Sequence, residues 1–131
     1  MSSLTKGGDD MSNIIGPSFI ALQVPDLEKA KEFYTNILGL EVDPAGPPHA
    51  VVFKTLPIQI ALREPTINLN DANHLGWGSV IWLSVTNIDE LRTTLVENSV
   101  KIISDIQPGP FGRYMVVTDL NGYVLTFHQP K

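Results

Sequence analysis

The chain has 131 residues, of which 14 are acidic, 9 are basic and none is cysteine, and its formal net charge is −5. That length predicts one compact domain, and the lack of cysteine excludes disulfides, cysteine–zinc sites, iron–sulfur clusters and thiol nucleophiles. The acidic balance argues against nucleic-acid binding, no apolar run reaches the ~18 residues of a membrane helix, and no signal-peptide core is apparent, so we expect a cytoplasmic protein that binds neither nucleic acid nor membrane.

The first half of the chain alternates strand and helix patterns. Residues 1–16 are polar and rich in Gly, Ser and Asp, which predicts a disordered tail. Phe19–Val24 predicts a strand, and Asp26 predicts the N-cap of a helix whose apolar residues recur at helical spacing up to a stop at Gly39. Three further strands are predicted at Leu40–Val42, Ala50–Thr55 and Ile58–Arg63.

The second half repeats this order after a polar linker at about residues 65–78. Val80–Val85 predicts a strand, and Asn87 with Glu90 three residues on is typical of a capping box at the start of a helix. Three more strands are predicted at Lys101–Ile106, Arg113–Thr118 and Tyr123–His128, with a turn at Asn121-Gly122 before the last.

The two halves are similar in sequence as well as in order. At an offset of 61 residues, Ile20, Leu22 and Val24 coincide with Ile81, Leu83 and Val85. Repeated supersecondary units decide an architecture. We therefore predict an α+β domain at 17–130, made of two βαβββ modules at about 17–64 and 79–130.

Alternation along the strands separates two kinds of face. One face is aliphatic and is expected to pack under the helices. The other mixes aromatic, small and polar residues, such as Phe19 and Gln23 in the first strand and Trp82 and Ser84 in its counterpart. A pocket for a small molecule accommodates such a mixture, and the alternative is a contact between sheets or between two copies of the chain.

Two motifs carry a family resemblance. Val24-Pro25-Asp26-Leu27, Phe33-Tyr34 and Leu38-Gly39-Leu40 form an opening motif, and Gly112-Arg113 with Asp119-Leu120-Asn121-Gly122-Tyr123 forms a closing one. In this order they resemble the vicinal oxygen chelate superfamily, which includes glyoxalases, bleomycin resistance proteins and extradiol dioxygenases. The resemblance implies that the sheets curl into a cup, with the helices on the outer face.

The resemblance also implies positions for a divalent metal. Carried over to this chain, these positions fall on Phe19, Val80 and Thr126, with a fourth near Gln59 or its neighbour Ala61. Phenylalanine and valine have no donor atoms, and such ions need oxygen or imidazole ligands. We therefore expect no metal and no other cofactor.

The leading hypothesis is a metal-free, bleomycin-resistance-like protein that sequesters an antibiotic or metabolite, in grooves that the resemblance places in a homodimer. The predicted ligand-binding residues are Phe19, Gln23, Gln59, Arg63, Trp82, Ser84, Phe111, Thr126 and His128. A second hypothesis is a glyoxalase-like lyase or isomerase, or a dioxygenase-related enzyme, with a non-classical site in which His128 moves a proton. A third is an accessory protein in which the fold serves dimerisation.

Overall fold

The structure is a computed structural model that describes residues 13–131. Residues 13–18 contain no helix or strand. Most of the predicted tail, residues 1–12, lies outside the described residues, so its disorder stays a prediction.

The first module contains four strands and one helical segment. These elements are β1 (Phe19–Gln23), α1 (Leu27–Glu32) with a π-helical extension (Phe33–Ile37), β2 (Val42–Asp43), β3 (Ala50–Phe53) and β4 (Gln59–Arg63). The sheet order is β1-β4-β3-β2, in which β1 and β4 are parallel and the other pairs are antiparallel.

The second module repeats this plan. Its elements are β5 (Ile81–Ser84), α2 (Ile88–Glu97), β6 (Ile102–Gln107), β7 (Gly112–Thr118) and β8 (Val124–Pro130). The order β5-β8-β7-β6 is the counterpart of the first sheet, again with one parallel pair, β5 and β8. The predicted α+β class and the two βαβββ modules are therefore confirmed.

The helix signals in the sequence correspond to real caps. Asp26 Oδ1 accepts a hydrogen bond from Lys29 N at 3.1 Å, and Asn87 Oδ1 accepts one from Glu90 N at 3.0 Å. The return bond of the predicted capping box, from Asn87 N to the Glu90 carboxylate, does not form within the described residues. The first helical segment ends at Gly39, whose φ of +78° is a left-handed conformation that glycine adopts without a Cβ penalty.

The predicted strand at Leu40–Val42 is shorter and later than expected. The amide of Leu40 donates to the carbonyl of Tyr34 at 2.9 Å, so Leu40 is held in the turn that follows the helical segment and does not pair as a strand. Strand pairing starts only at Val42, opposite Phe53. The linker also differs from the irregular segment expected from the sequence, since it contains a 3-10 turn at Leu69–Asp71.

The aliphatic faces of both sheets form one shared core. The helices lie against these sheets, α1 on β3 and β4 and α2 on β8. Fully or almost fully buried side chains come from both modules: Leu22, Val24, Phe53 and Leu62 from the first, and Ile88, Leu95, Met115 and Leu125 from the second. No helix within residues 13–131 is long and apolar enough to cross a membrane.

Candidate functional site

Strand register places the predicted ligand-binding residues in neighbouring pairs. In the first sheet, Phe19 lies opposite Gln59 and Gln23 lies opposite Arg63. In the second, Trp82 lies opposite Thr126 and Ser84 lies opposite His128. Phe111 is apart from both groups, in the loop before β7, where its side chain is exposed.

The polar residues of the first sheet already have partners within the chain. Gln59 Nε2 donates to Asp43 Oδ2 at 3.0 Å, and Gln23 Oε1 accepts from the amide of Thr66 at 2.8 Å. Arg63 Nε donates to the carbonyl of Glu64 at 3.0 Å. These contacts tie strands and linker together, so a ligand would have to share these groups.

The bond from Gln59 also affects its partner carboxylate. Hydrogen bonds from the amide of Ala45 and then from the Gln59 side chain lower the pKa of Asp43, because both favour its charged form. Gln59 is therefore part of a local structural pair.

The second sheet presents an aromatic cluster around Trp82. Its ring lies 5.4 Å from the ring of His128 in an edge arrangement and 5.9 Å from the ring of Tyr114. Ser84 Oγ and His128 Nε2 are 3.2 Å apart, within hydrogen-bond distance. The other ring nitrogen of His128, Nδ1, is buried without a hydrogen-bond partner among the described residues. Thr126 lies opposite Trp82 on the neighbouring strand and is only 2% exposed.

The positions that the resemblance assigns to a metal do not provide a ligand set. Register places Thr126 opposite Trp82, whereas Val80 precedes β5. Phe19 and Val80 have no donor atoms, and Gln59 is bonded to Asp43. Within the described residues, no group of three or more His, Cys, Asp and Glu side chains is placed to hold a metal ion. These residues do not fit a divalent cation.

A cavity of about 690 Å³ lies between the two modules, and we call it the inter-module cavity. One wall is the segment from Trp82 through the first turns of α2, including Glu90, Leu91 and Thr94. The opposite wall comes from the first module, from Ile20 and Ile60 on the sheet, Ile37, Leu38 and Leu40 at the end of the helical segment, and the loop Thr55–Ile58 between β3 and β4. This volume lies in the range of small-molecule sites, about 300–1,000 Å³.

Two of the predicted ligand-binding residues, Trp82 and Ser84, line the inter-module cavity. Gln23 lines a separate cavity of about 300 Å³ that the linker covers, together with Tyr123 and His74. Six predicted residues line neither cavity: Phe19, Gln59, Arg63, Phe111, Thr126 and His128.

Sequence reasoning missed the contribution of α2 to the inter-module cavity. Asn87, Glu90, Leu91 and Thr94 line it and are spaced i, i+3, i+4 and i+7, which is one face of a helix. That spacing was visible in the sequence as a mixed polar and apolar stripe beside the core stripe. Nothing local indicated that the first module would lie against it.

Residues 16–127 match the Glyoxalase/Bleomycin resistance protein/Dioxygenase superfamily. Methylmalonyl-CoA epimerase, mitochondrial, from Bos taurus is 30% identical over 110 residues, which cover 76% of this chain but only 63% of that protein.

Solved structures of the same fold include TnmS3, an antibiotic binding protein from Streptomyces sp. CB03234. It matches with a TM-score of 0.70 and 24% identity, over 92% of this chain and 99% of that one. A superfamily member from Sphaerobacter thermophilus matches with a TM-score of 0.66 and 27% identity, over 86% and 94% of the respective chains.

Proposed function

The chain belongs to the Glyoxalase/Bleomycin resistance protein/Dioxygenase superfamily, and from this premise we propose that it is a metal-free protein that binds a small molecule in the inter-module cavity. The observation that carries the proposal is the lining, in which about two thirds of the residues are apolar and the rest are mainly hydroxyl and amide side chains. Ligand sites combine apolar walls with a few polar groups in this way. The positions that the resemblance assigns to a metal provide too few donor atoms for a ligand set, which supports the proposal that the protein binds no metal.

One of the comparisons supports binding without chemistry as the first function to test. TnmS3 is an antibiotic binding protein, and it shares this fold over nearly its whole length. We propose that this chain likewise sequesters an antibiotic or an amphipathic metabolite. Trp82 would supply a flat apolar contact, and Ser84 would orient a polar group.

A homodimer is part of this proposal. Phe19 and Trp82 are each 49% exposed and Val80 is 58% exposed, although all three are large apolar residues at sheet positions or directly beside them. A second copy of the chain would cover them and turn these faces into a closed groove. Size-exclusion chromatography with light scattering tests this part, and a monomer at all concentrations would contradict it.

The binding proposal is tested by thermal shift against a panel of aromatic antibiotics and amphipathic metabolites, followed by calorimetry of the hits. Thr94→Trp would fill the inter-module cavity from α2, whereas Thr93→Trp places the same side chain at an exposed position on the same helix. We expect the first variant to lose binding and the second to keep it. Equal binding by both would contradict the assignment to this cavity.

A second candidate function is a lyase or isomerase with a non-classical site. The observation that favours it is the contact between Ser84 and His128, together with the buried Nδ1 of His128, which has no hydrogen-bond partner within residues 13–131. A buried polar atom without a hydrogen-bond partner destabilises the folded protein, and such atoms are often found at functional sites. The bovine relative is named as an epimerase, which is an isomerase-type activity.

This candidate requires turnover that depends on His128. A panel of glyoxalase, epimerase and dioxygenase substrates should then yield an activity that His128→Ala abolishes and Tyr114→Phe retains. A protein that is inert against the panel but binds small molecules would leave sequestration as the better proposal.

A further inference from the structure

The charge lining the inter-module cavity comes from one residue. Among the described residues that line it, Glu90 is the only one with a charged side chain, and no lysine or arginine reaches it. Glu90 lies in the first turn of α2 and is exposed. A ligand in this cavity would therefore meet one negative charge and no positive one.

Two other acidic residues near α2, Asp89 and Asp105, are already neutralised. Asp89 accepts two hydrogen bonds from the Arg113 guanidinium, at 2.7 and 3.0 Å. Asp105 accepts two from Arg92, at 2.7 and 2.8 Å. Glu90 makes no ion pair or side-chain hydrogen bond with any residue of the described part of the chain.

An anion at the start of α2 is the competing possibility, because a helix N-terminus attracts negative charge. Two of the amides in the first turn are already occupied, however. Ile88 N donates to Gln129 Oε1 at 2.9 Å, and Glu90 N donates to Asn87 Oδ1 at 3.0 Å. With these donors used and the Glu90 carboxylate beside them, the site disfavours an anion.

We propose that the inter-module cavity selects a ligand with an apolar body and a positively charged amine, and that Glu90 is the counter-ion of that amine. The apolar body fits the walls formed by Leu38, Leu56 and Leu91. This inference rests on the small-molecule binding proposed above and adds the charge of the ligand.

Three probe molecules that share one rigid hydrocarbon body test which ligand charge the cavity prefers. They are 1-adamantanemethylamine, which is an ammonium ion at pH 7, the neutral 1-adamantanemethanol, and 1-adamantanecarboxylate. Calorimetry on the full chain should give the ammonium an affinity about fivefold above that of the alcohol, the gain expected from a partly exposed ion pair, with the carboxylate weakest.

Two variants of α2 test whether the preference for the ammonium probe comes from the Glu90 carboxylate. Glu90→Gln should bring the ammonium to the affinity of the alcohol while the affinity for the alcohol itself stays unchanged. Glu97→Gln removes the same charge at an exposed position of the same helix that does not line the cavity, and should keep the fivefold preference. Circular dichroism confirms that both variants are folded.

Each contrary result has a distinct meaning. Equal affinity of the native chain for ammonium and alcohol overturns the charge inference and leaves small-molecule binding intact. A preference that survives in Glu90→Gln overturns the role of Glu90. Absence of binding for all three probes overturns the inference as well, whereas the antibiotic and metabolite panel decides the proposed function independently.

Discussion

The hydroxyl of Tyr34 donates a 2.7 Å hydrogen bond to Oδ2 of Asp119, 85 residues further along the chain. Tyr34 lies in the helical segment of the first module, and Asp119 lies in the turn between β7 and β8 of the second. Both side chains are almost inaccessible to solvent, at 1% and 4% exposure. This bond therefore joins the two modules inside the shared core, in addition to the bond from the Tyr123 hydroxyl to the Gln23 carbonyl at 2.6 Å.

Removal of this hydroxyl should destabilise the protein. Tyr34→Phe leaves the ring in place but takes one donor from a buried carboxyl, and we expect a loss of about 1–3 kcal/mol in the free energy of unfolding. Urea denaturation measures it. Tyr114→Phe is the matched control, because the Tyr114 hydroxyl has no hydrogen bond within residues 13–131, and it should change stability little. Equal losses in both variants would contradict a role for the bond.

Asp119 should make stability depend on pH in a defined direction. Burial raises the pKa of Asp119 above its usual value, although the Tyr34 hydroxyl and the amides of Asn121, Tyr123 and Gly122 oppose this by favouring the charged form. The folded state then binds this proton more tightly than the unfolded state. The stability that the group contributes is fully present below its unfolded pKa and is lost as pH rises through the folded pKa.

The comparison with Asp119→Asn isolates this contribution, because other titrating groups are the same in both proteins. As pH falls from 7 towards 4, the free energy of unfolding of the native chain should rise relative to that of the variant. Urea denaturation at several pH values gives the difference. A shift in favour of the variant at low pH would mean that the carboxyl is held charged instead.

Gly112 should tolerate no side chain. Its φ is +123°, and a Cβ at this position would collide with the backbone carbonyl of Gln129 on the neighbouring strand. Gly112→Ala should therefore cost more than the ~1 kcal/mol of the left-handed conformation alone. Gly39→Ala provides that reference, because Gly39 also has a positive φ but nothing lies within 4 Å of the point that its Cβ would occupy. Similar thermal midpoints for the two variants would contradict the predicted collision.

Ligand binding in the inter-module cavity should be visible in the emission of one tryptophan. The chain has two, and Trp82 lines the cavity whereas Trp77 lies in the linker and is 79% exposed. Titration with 1-adamantanemethanol, which does not absorb at the excitation wavelength, should shift the emission of Trp77→Phe as in the native chain. Trp82→Phe should lose most of the change. The reverse pattern would place the ligand beside the linker.

Local signals in the sequence were sufficient to predict most of the helices and strands of the fold. The caps at Asp26 and Asn87, the stop at Gly39 and the alternation within each strand act over a few residues, so a pattern in the sequence reports them directly. The repeat of Ile20, Leu22 and Val24 then predicted two equivalent modules. The start of β2 was less predictable, because the bond from Leu40 to Tyr34 holds Leu40 in the turn after the helical segment.

The candidate site depended on contacts that the sequence does not display. Gln59 and Gln23 were assigned to a ligand from strand parity, but Asp43 and Thr66, which are distant in sequence, occupy them. The sequence by itself determined the modules and the faces of their strands, because those follow from short-range periodicity. Only the tertiary structure decided that α2 borders a cavity and that the Glu90 side chain has no partner in the described part of the chain while Arg113 neutralises Asp89. Both results depend on how the modules and strands pack in space.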